Sequence, residues 1–274
     1  MASSTQSFRE FEQAGWENPR VVIKYHEHLS AVTTQSIGAL LDAAGVREGS
    51  RLLDVATGAG YVAGAAAQRG AKATGIDFSA AQVRMARDTY PAVQFEQADA
   101  EALPFESGTF DAVVNGFGMC HLPNPDVALR EAFRVLERGG RVAFAVWDVP
   151  ERAVGFGAVY AAIRAHGSMD VGLPTGPNFF FFSDPEQSTK ALRDAGFASP
   201  SCKQVPQVWR LSYPDELFEV LTEGSVRAAA TIRSQSPSAK AAIRAALRET
   251  VMTYKRGDHF EVPMPAVIAA AVKS

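Results

Sequence analysis

The residues best placed to do chemistry gather around one turn. Arg51-Leu-Leu-Asp54-Val-Ala-Thr-Gly58-Ala-Gly60 runs from apolar residues into a carboxylate and then into small residues. A second apolar run, Ala71 to Ile76, ends in Asp77. Glycines let backbone approach a ligand that any Cβ would hold off. A carboxylate roughly twenty residues on, at the tip of the next strand, is placed to accept both hydroxyls of a ribose. The pattern reads as a nucleoside-containing cofactor on an α/β sheet. A dinucleotide fits poorly, because Gly-x-Gly-x-x-Gly is absent: Tyr61, Val62 and Ala63 follow Gly60, and Gly64 comes late. Asp54 before the turn would repel a diphosphate and suits an ammonium group. S-adenosylmethionine carries an α-amino group and no phosphate.

Strands and helices must alternate to hold such a turn, and they do. Leu52–Val55, Lys72–Ile76, Val93–Gln97, Phe110–Asn115 and Arg141–Trp147 read as strands. Helices over 61–68, 80–88 and 125–136 separate them, the last stopped by Gly139-Gly140. Ser79 is the expected N-cap of the second. This alternation predicts a parallel sheet covered on both faces. The chain divides into an N-terminal helical lid with a first sheet-covering helix (1–50), a cofactor-binding α/β core (51–149), a helical and aromatic-loop lid with a returning helix (150–201), and last strands with a helical insertion (202–274). In the third part Asp184-Pro-Glu186 reads as a helix start, with the helix ending at Gly196. In the fourth, Lys203–Leu211 and Val267–Val272 are strand candidates, and helices are expected over 214–222 and 239–254.

Composition limits the partners. The 274 residues are 47% hydrophobic and 21% charged, with a formal charge of −3, an ordinary globular balance with no overall attraction to nucleic acid or anionic lipid. Cys120 and Cys202 form neither a disulfide framework nor a metal-type spacing. No signal-type segment opens the chain and no apolar run reaches membrane-spanning length. The expectation is a cytoplasmic monomer or homodimer with no metal, no nucleic-acid partner and no membrane span, acting on a small molecule.

The same segments resemble class I S-adenosylmethionine-dependent methyltransferases, in the branch similar to the ubiquinone/menaquinone-biosynthesis enzymes. Leu-Leu-Asp54-Val-Ala-Thr-Gly58-Ala-Gly60 resembles the first cofactor motif and Gly75-Ile-Asp77-Phe-Ser79 the second. Gln97-Ala-Asp99-Ala100 with Leu103-Pro104-Phe105 resembles the third. Phe110 to Asn115 resembles the fourth strand, and Leu136-Glu-Arg-Gly-Gly140 the turn before the fifth. The likeness is strong over 35–148 and weak beyond. Ala56 stands where the family usually has its first glycine. The implied fold is a Rossmann-like seven-stranded mixed sheet of order 3-2-1-4-5-7-6, last strand antiparallel, with helical lid elements. The implied cofactor is S-adenosyl-L-methionine, with S-adenosyl-L-homocysteine as product.

Roles follow for named residues. Asp54 orients the methionine end, Ala56, Gly58 and Gly60 let backbone pass beneath the ligand, and Asp77 accepts from the ribose. Phe78 lies against adenine. By resemblance, Asp99 accepts from the adenine amine, the Ala100 N–H reaches the ring, and Asn115 and Gly116 flank the methionine moiety. Methyl transfer from a sulfonium needs mainly proximity and orientation. A base helps where the nucleophile still holds its proton. His121, whose neutral form is available near pH 7, is the first candidate, with Tyr25 and His26 in the lid as second candidates. Phe117, Trp147, Phe179, Phe180, Phe181 and Trp209 are the candidate acceptor walls. The function expected is methylation of a small, mainly aromatic or heteroaromatic acceptor at O or N. The alternatives are C-methylation of quinone type, or a non-methylating S-adenosylmethionine-binding enzyme or catalytically silent subunit.

Overall fold

The computed structural model describes residues 4–274. The strands are β1 (Arg51–Val55), β2 (Lys72–Asp77), β3 (Gln94–Gln97), β4 (Phe110–Gly116), β5 (Leu136–Trp147), β6 (Ala198–Val205), β7 (Val208–Leu211), β8 (Lys255–Arg256), β9 (His259–Pro263) and β10 (Ala266–Val272). The helices are α1 (Ser4–Trp16), α2 (Pro19–His28), α3 (Ser30–Thr33), α4 (Ile37–Ala43), α5 (Tyr61–Gln68), α6 (Ala80–Thr89), α7 (Pro125–Val135), α8 (Val154–His166), α9 (Pro185–Asp194), α10 (Glu216–Glu223), α11 (Arg227–Arg233) and α12 (Pro237–Met252).

Seven strands form the main sheet in the order β3-β2-β1-β4-β5-β10-β6. The first five are parallel, and β10 is antiparallel to both β5 and β6. This is the Rossmann-like seven-stranded mixed sheet anticipated from the motifs. Its central strands are mostly apolar because both faces are covered. Leu52, Val114, Ala143 and Ala145 point into one core. Leu53, Val113, Phe144 and Val146, one residue out of step, point into the other. The period of two along each strand thus feeds two cores at once.

The helix ends follow local chemistry. Asn18 accepts from the Arg20 N–H at the start of α2, with Pro19 in the first turn. Ser79 accepts from the Gln82 N–H at the start of α6, and Asp184 from the Glu186 N–H before α9. The Gly139-Gly140 stop falls late: α7 ends at Val135, and Leu136 is already extended (φ −71°, ψ 143°). The glycines instead sit in an irregularity of β5, between the pairs Phe110–Leu136 and Ala112–Arg141.

The C-terminal region departs most from expectation. Lys203–Leu211 is not one strand. It is split between the end of β6 and β7, and β7 belongs to a second sheet of order β7-β9-β8. Trp209, at 1% exposure, and Leu211 carry that sheet into the core containing Leu217 of α10 and Leu247 of α12.

Gly75 in β2 is where the sheet meets the cofactor turn. A Cβ there would lie 2.5 Å from the Phe95 ring of β3 and 2.7 Å from Thr57 Oγ1. Overpacking of this kind costs about 1–3 kcal/mol. Gly75→Ala is therefore expected to lower the thermal unfolding midpoint. An unchanged midpoint would mean that the Phe95 ring and the turn yield without cost.

Candidate active site

The turn after β1 is built on a buried carboxylate. Asp54 is fully buried, and its Oδ2 accepts from Thr57 Oγ1 (2.6 Å) and from the Ala63 N–H (3.1 Å). Its Oδ1 has no hydrogen-bond partner among the described residues. Burial pushes this carboxyl up to about 7, against the two hydrogen bonds and with added repulsion from Asp77. Between Asp54 and Ala63 the backbone turns left-handed at Ala56 (φ 54°), Gly58 (φ 55°) and Gly60 (φ 82°). Gly60 starts α5, and a Cβ on it would meet the Phe95 ring at 2.6 Å. Ala56 takes the left-handed conformation with a side chain, and so does Phe117 (φ 64°), which lines the same cavity. Two strained non-glycine residues thus line the cavity where a ligand would pass.

Asp77 closes the turn from β2. Its Oδ2 accepts from the Gly58 N–H and its Oδ1 from the Ser79 N–H, each at 2.9 Å. Each oxygen keeps further acceptor capacity toward the cavity. Burial pushes its carboxyl up to about 6, opposed by these two N–H donors. Ser79 Oγ in turn donates to the Trp16 carbonyl (2.9 Å), which ties the lid to the second motif.

Three neighbouring cavities that share wall residues lie over this turn. The central one is walled by Ala56, Gly58, Asp77, Phe78, Gly116 and Phe117, with Tyr25 and His26 from α2. A second shares Asp77 and Phe78 and reaches Asp99 and Ala100. The third shares Phe117 and His121 and is an apolar chamber with Trp147 and Phe179 in its walls. Asp99 is not free in this arrangement. Arg9 of α1 donates to its Oδ2 at 2.6 Å and pairs also with Glu101.

Other expected site residues lie elsewhere. Asn115 sits behind the cavity wall. Its Nδ2 donates to the Val55 carbonyl, and its Oδ1 accepts from the Gly118 and Met119 N–H groups, fixing the bend after β4. The phenylalanine run splits by direction. Phe179 faces the chamber, Phe180 packs against Tyr160, Phe181 is exposed, and Phe182 is buried against Phe144. Trp209 lies in the core beside Gly155, away from the cavity, because β7 belongs to the second sheet.

The candidate bases have contrasting electrostatics. His121 Nδ1 pairs with Glu12 Oε2 at 2.8 Å, and the same oxygen accepts from Trp16 Nε1 at 3.2 Å. Burial alone would lower the His121 pKa, but the adjacent Cys120 and the Glu12 carboxylate outweigh it and hold it well above the ordinary value. The pairing therefore favours the protonated imidazole over the neutral form. His26 is the opposite case. Burial lowers its pKa, against a 2.8 Å contact with Gln82 Oε1. With Nε2–H directed at that acceptor, Nδ1 carries the lone pair, and it has no partner among the described residues. Tyr25 is held neutral, its pKa raised chiefly by burial.

Glu12 could not be found by spacing, since its partner is 109 residues away. Gln82 and Arg9 were missed for the same reason. Among the described residues no group of three or more His, Cys, Asp or Glu is arranged to hold a metal, and no helix is long and apolar enough to cross a membrane.

The strain at Ala56 has a measurable size. A left-handed residue with a Cβ costs about 1–2 kcal/mol, partly offset by the larger unfolded-state entropy of glycine. Ala56→Gly is expected to stabilise the free protein by about 1 kcal/mol in denaturant titration. A loss of stability would show that the Ala56 methyl contributes packing that exceeds the strain.

Residues 53–144 match the methyltransferase domain family. The chain is 36% identical over 111 residues to demethylmenaquinone methyltransferase of Renibacterium salmoninarum, covering 40% of this chain and 47% of that one. It is 34% identical over 166 residues to the ubiquinone/menaquinone biosynthesis C-methyltransferase UbiE of Agrobacterium fabrum, covering 54% and 64%. The match thus spans less than two thirds of either relative. Among solved structures, phosphoethanolamine N-methyltransferase 2 of Haemonchus contortus superposes with a TM-score of 0.58 at 19% identity, over 100% of this chain and 60% of that one, a likeness of fold. Residues 53–144 thus carry a methyltransferase domain, and this part of the chain is related in sequence to the demethylmenaquinone and UbiE-type methyltransferases.

Proposed function

We propose that the protein transfers a methyl group from S-adenosylmethionine to a small ring acceptor, at a ring carbon of quinol type in preference to O or N. The observation that carries the cofactor assignment is Asp77. It is a buried carboxylate at the tip of β2, oriented by two backbone N–H groups, with acceptor capacity left over toward a cavity above a left-handed turn. The choice of carbon over O or N is supported by relatives named as demethylmenaquinone and quinone C-methyltransferases.

The residues fit the cofactor. Asp77 suits a ribose diol, and Asp54, buried beneath the turn, holds the backbone over which the ligand would pass. Phe78 and Ala100 offer a flat apolar site for adenine beside Asp99. Bound S-adenosylmethionine supplies a methyl group already activated on a sulfonium. The protein supplies a water-poor meeting point between the central cavity and the apolar chamber, where Phe117, Trp16, Tyr25 and His121 belong to both walls. Removing a hydroxyl proton from a quinol raises electron density on the ring carbons, and the Glu12–His121 pair is the ionisable group at that junction. His121 becomes a proton acceptor only as pH rises through its raised pKa.

Two measurements test this reading. Calorimetry should detect S-adenosylhomocysteine binding and none for NAD, and Asp77→Ala should weaken the former by about 1.5–3 kcal/mol per charge-assisted bond lost. In the free protein the Asp54 and Asp77 carboxyls take up protons as pH falls through about 7 and about 6. Ligand groups that need the ionised forms therefore bind less tightly below these values, by up to about tenfold per pH unit for each proton displaced. Affinity that stays flat from about pH 8 to about pH 5 would count against both carboxylates as ligands.

The second measurement is turnover of a panel of quinols and phenols, with products identified by mass. If His121 is the proton acceptor, the rate rises with pH through its elevated pKa. Glu12→Gln should then shift that limb toward the ordinary histidine value near 6.5, and His121→Ala should lower turnover about 10²–10⁴-fold without weakening cofactor binding. A limb that stays put in Glu12→Gln removes the pair from the mechanism.

A further inference from the structure

The walls of the apolar chamber beyond Phe117 include Glu12, His121 and Arg227. Glu12 and His121 pair with each other. Arg227, at the start of α11, is left over. Its Nη2 donates to the Pro174 carbonyl at 2.5 Å, and its guanidinium carbon lies 5.5 Å from the ring centroids of both Phe8 and Phe11. Among the described residues no carboxylate comes within ion-pair distance of it. One hydrogen bond uses one of five donors, and two phenyl rings cover part of the rest. A guanidinium in such a place is stabilised by an anion brought in by the ligand, since its own fold supplies none.

We infer that the acceptor is a hydroxyaryl carboxylate, its carboxylate held by Arg227 and its hydroxyl directed toward the Glu12–His121 pair. This rests on the methyltransferase reading for the identity of the chamber as the acceptor site. The walls fit the ring: Trp147 and Phe117 stack with centroids 4.3 Å apart, and Phe156 links Trp147 to Phe179. Tyr160 lines the same chamber, and burial pushes its phenol up to about 12, so it is a neutral donor beside the guanidinium. The Glu12–His121 pair cancels its own charge and leaves the chamber with the unmatched charge of Arg227. An ammonium-bearing acceptor is thereby disfavoured and a monoanion selected.

The test uses the full chain saturated with S-adenosylhomocysteine. Trp16 and Trp147, two of the three tryptophans, line the chamber, so fluorescence reports its occupancy. The probes are 1-hydroxy-2-naphthoate and 2-naphthoate, which lacks the hydroxyl, each beside its own carboxamide. Each carboxylate should bind at least about tenfold tighter than its amide, the worth of one charge-assisted contact. In Arg227→Gln both ratios should fall to near one, with S-adenosylhomocysteine affinity unchanged, and Arg227→Lys should recover part of them. Equal ratios in wild type and Arg227→Gln overturn the inference. So does absence of saturable quenching by either carboxylate up to about 10 mM. Should the glutamine variant fail to fold, the same ratios in Arg227→Met decide the matter. Failure of S-adenosylhomocysteine to bind in calorimetry would instead overturn the methyltransferase reading, which keeps the two failures apart.

Discussion

The carboxylate of Asp54, without solvent exposure, is the constraint on which the site rests. By accepting from Thr57 and from the first turn of α5, it holds a backbone segment in which three of five residues are left-handed. From there a polar chain runs outward. Gly58 donates to Asp77, Ser79 donates to Asp77 and to the Trp16 carbonyl, Trp16 donates to Glu12, and Glu12 meets His121. The centre of the sheet and the N-terminal lid are thus one hydrogen-bonded assembly. Its cost is visible in two carboxyls displaced toward neutrality. Burial without full compensation is tolerated where a ligand completes the set.

The lid is as much a part of the site as the sheet. Helices α1 and α2 contribute Arg9, Glu12, Trp16, Tyr25 and His26 to the cavity walls. Trp16 packs edge-on against both Tyr25 and His121, with centroids 5.3 and 5.1 Å apart. The junction between the central cavity and the apolar chamber is therefore formed by aromatic rings whose positions depend on one another, and their large apolar area excludes water where methyl transfer would occur.

What the sequence revealed, and what it hid, divides along the range of the interactions. The main sheet was legible because its strands are apolar runs bounded by glycines, and the cofactor turn was legible because its residues are neighbours in the chain. Asp77, Gly58 and Ser79 act on one another across short separations. The second sheet was not legible. Val208 to Leu211 pairs with Pro263 to Phe260, about fifty positions later, and its alternating pattern could as well continue β6. The direction of each ring in the Phe179–Phe182 run is set by a short 3₁₀ turn at Phe181, and four identical residues carry no signal of it. The pairing of His121 was hidden for a similar reason, because the carboxylate that favours its charged form arrives from α1. Ala56 was noted as a departure from glycine, but that it adopts a glycine-like conformation is known only from the backbone.

Helix α1 is joined to the body of the protein by two sets of ionic contacts, Arg9 to Asp99 and Glu101 and Glu12 to His121. The two differ in their surroundings. Arg9 and Asp99 are about a third and nearly half exposed, whereas Glu12 is almost fully enclosed. Dissolved salt therefore weakens the Arg9–Asp99 pair more than the contact beside His121. The helix is a latch with one softer and one harder catch, and rising ionic strength loosens its Arg9 end before its Glu12 end.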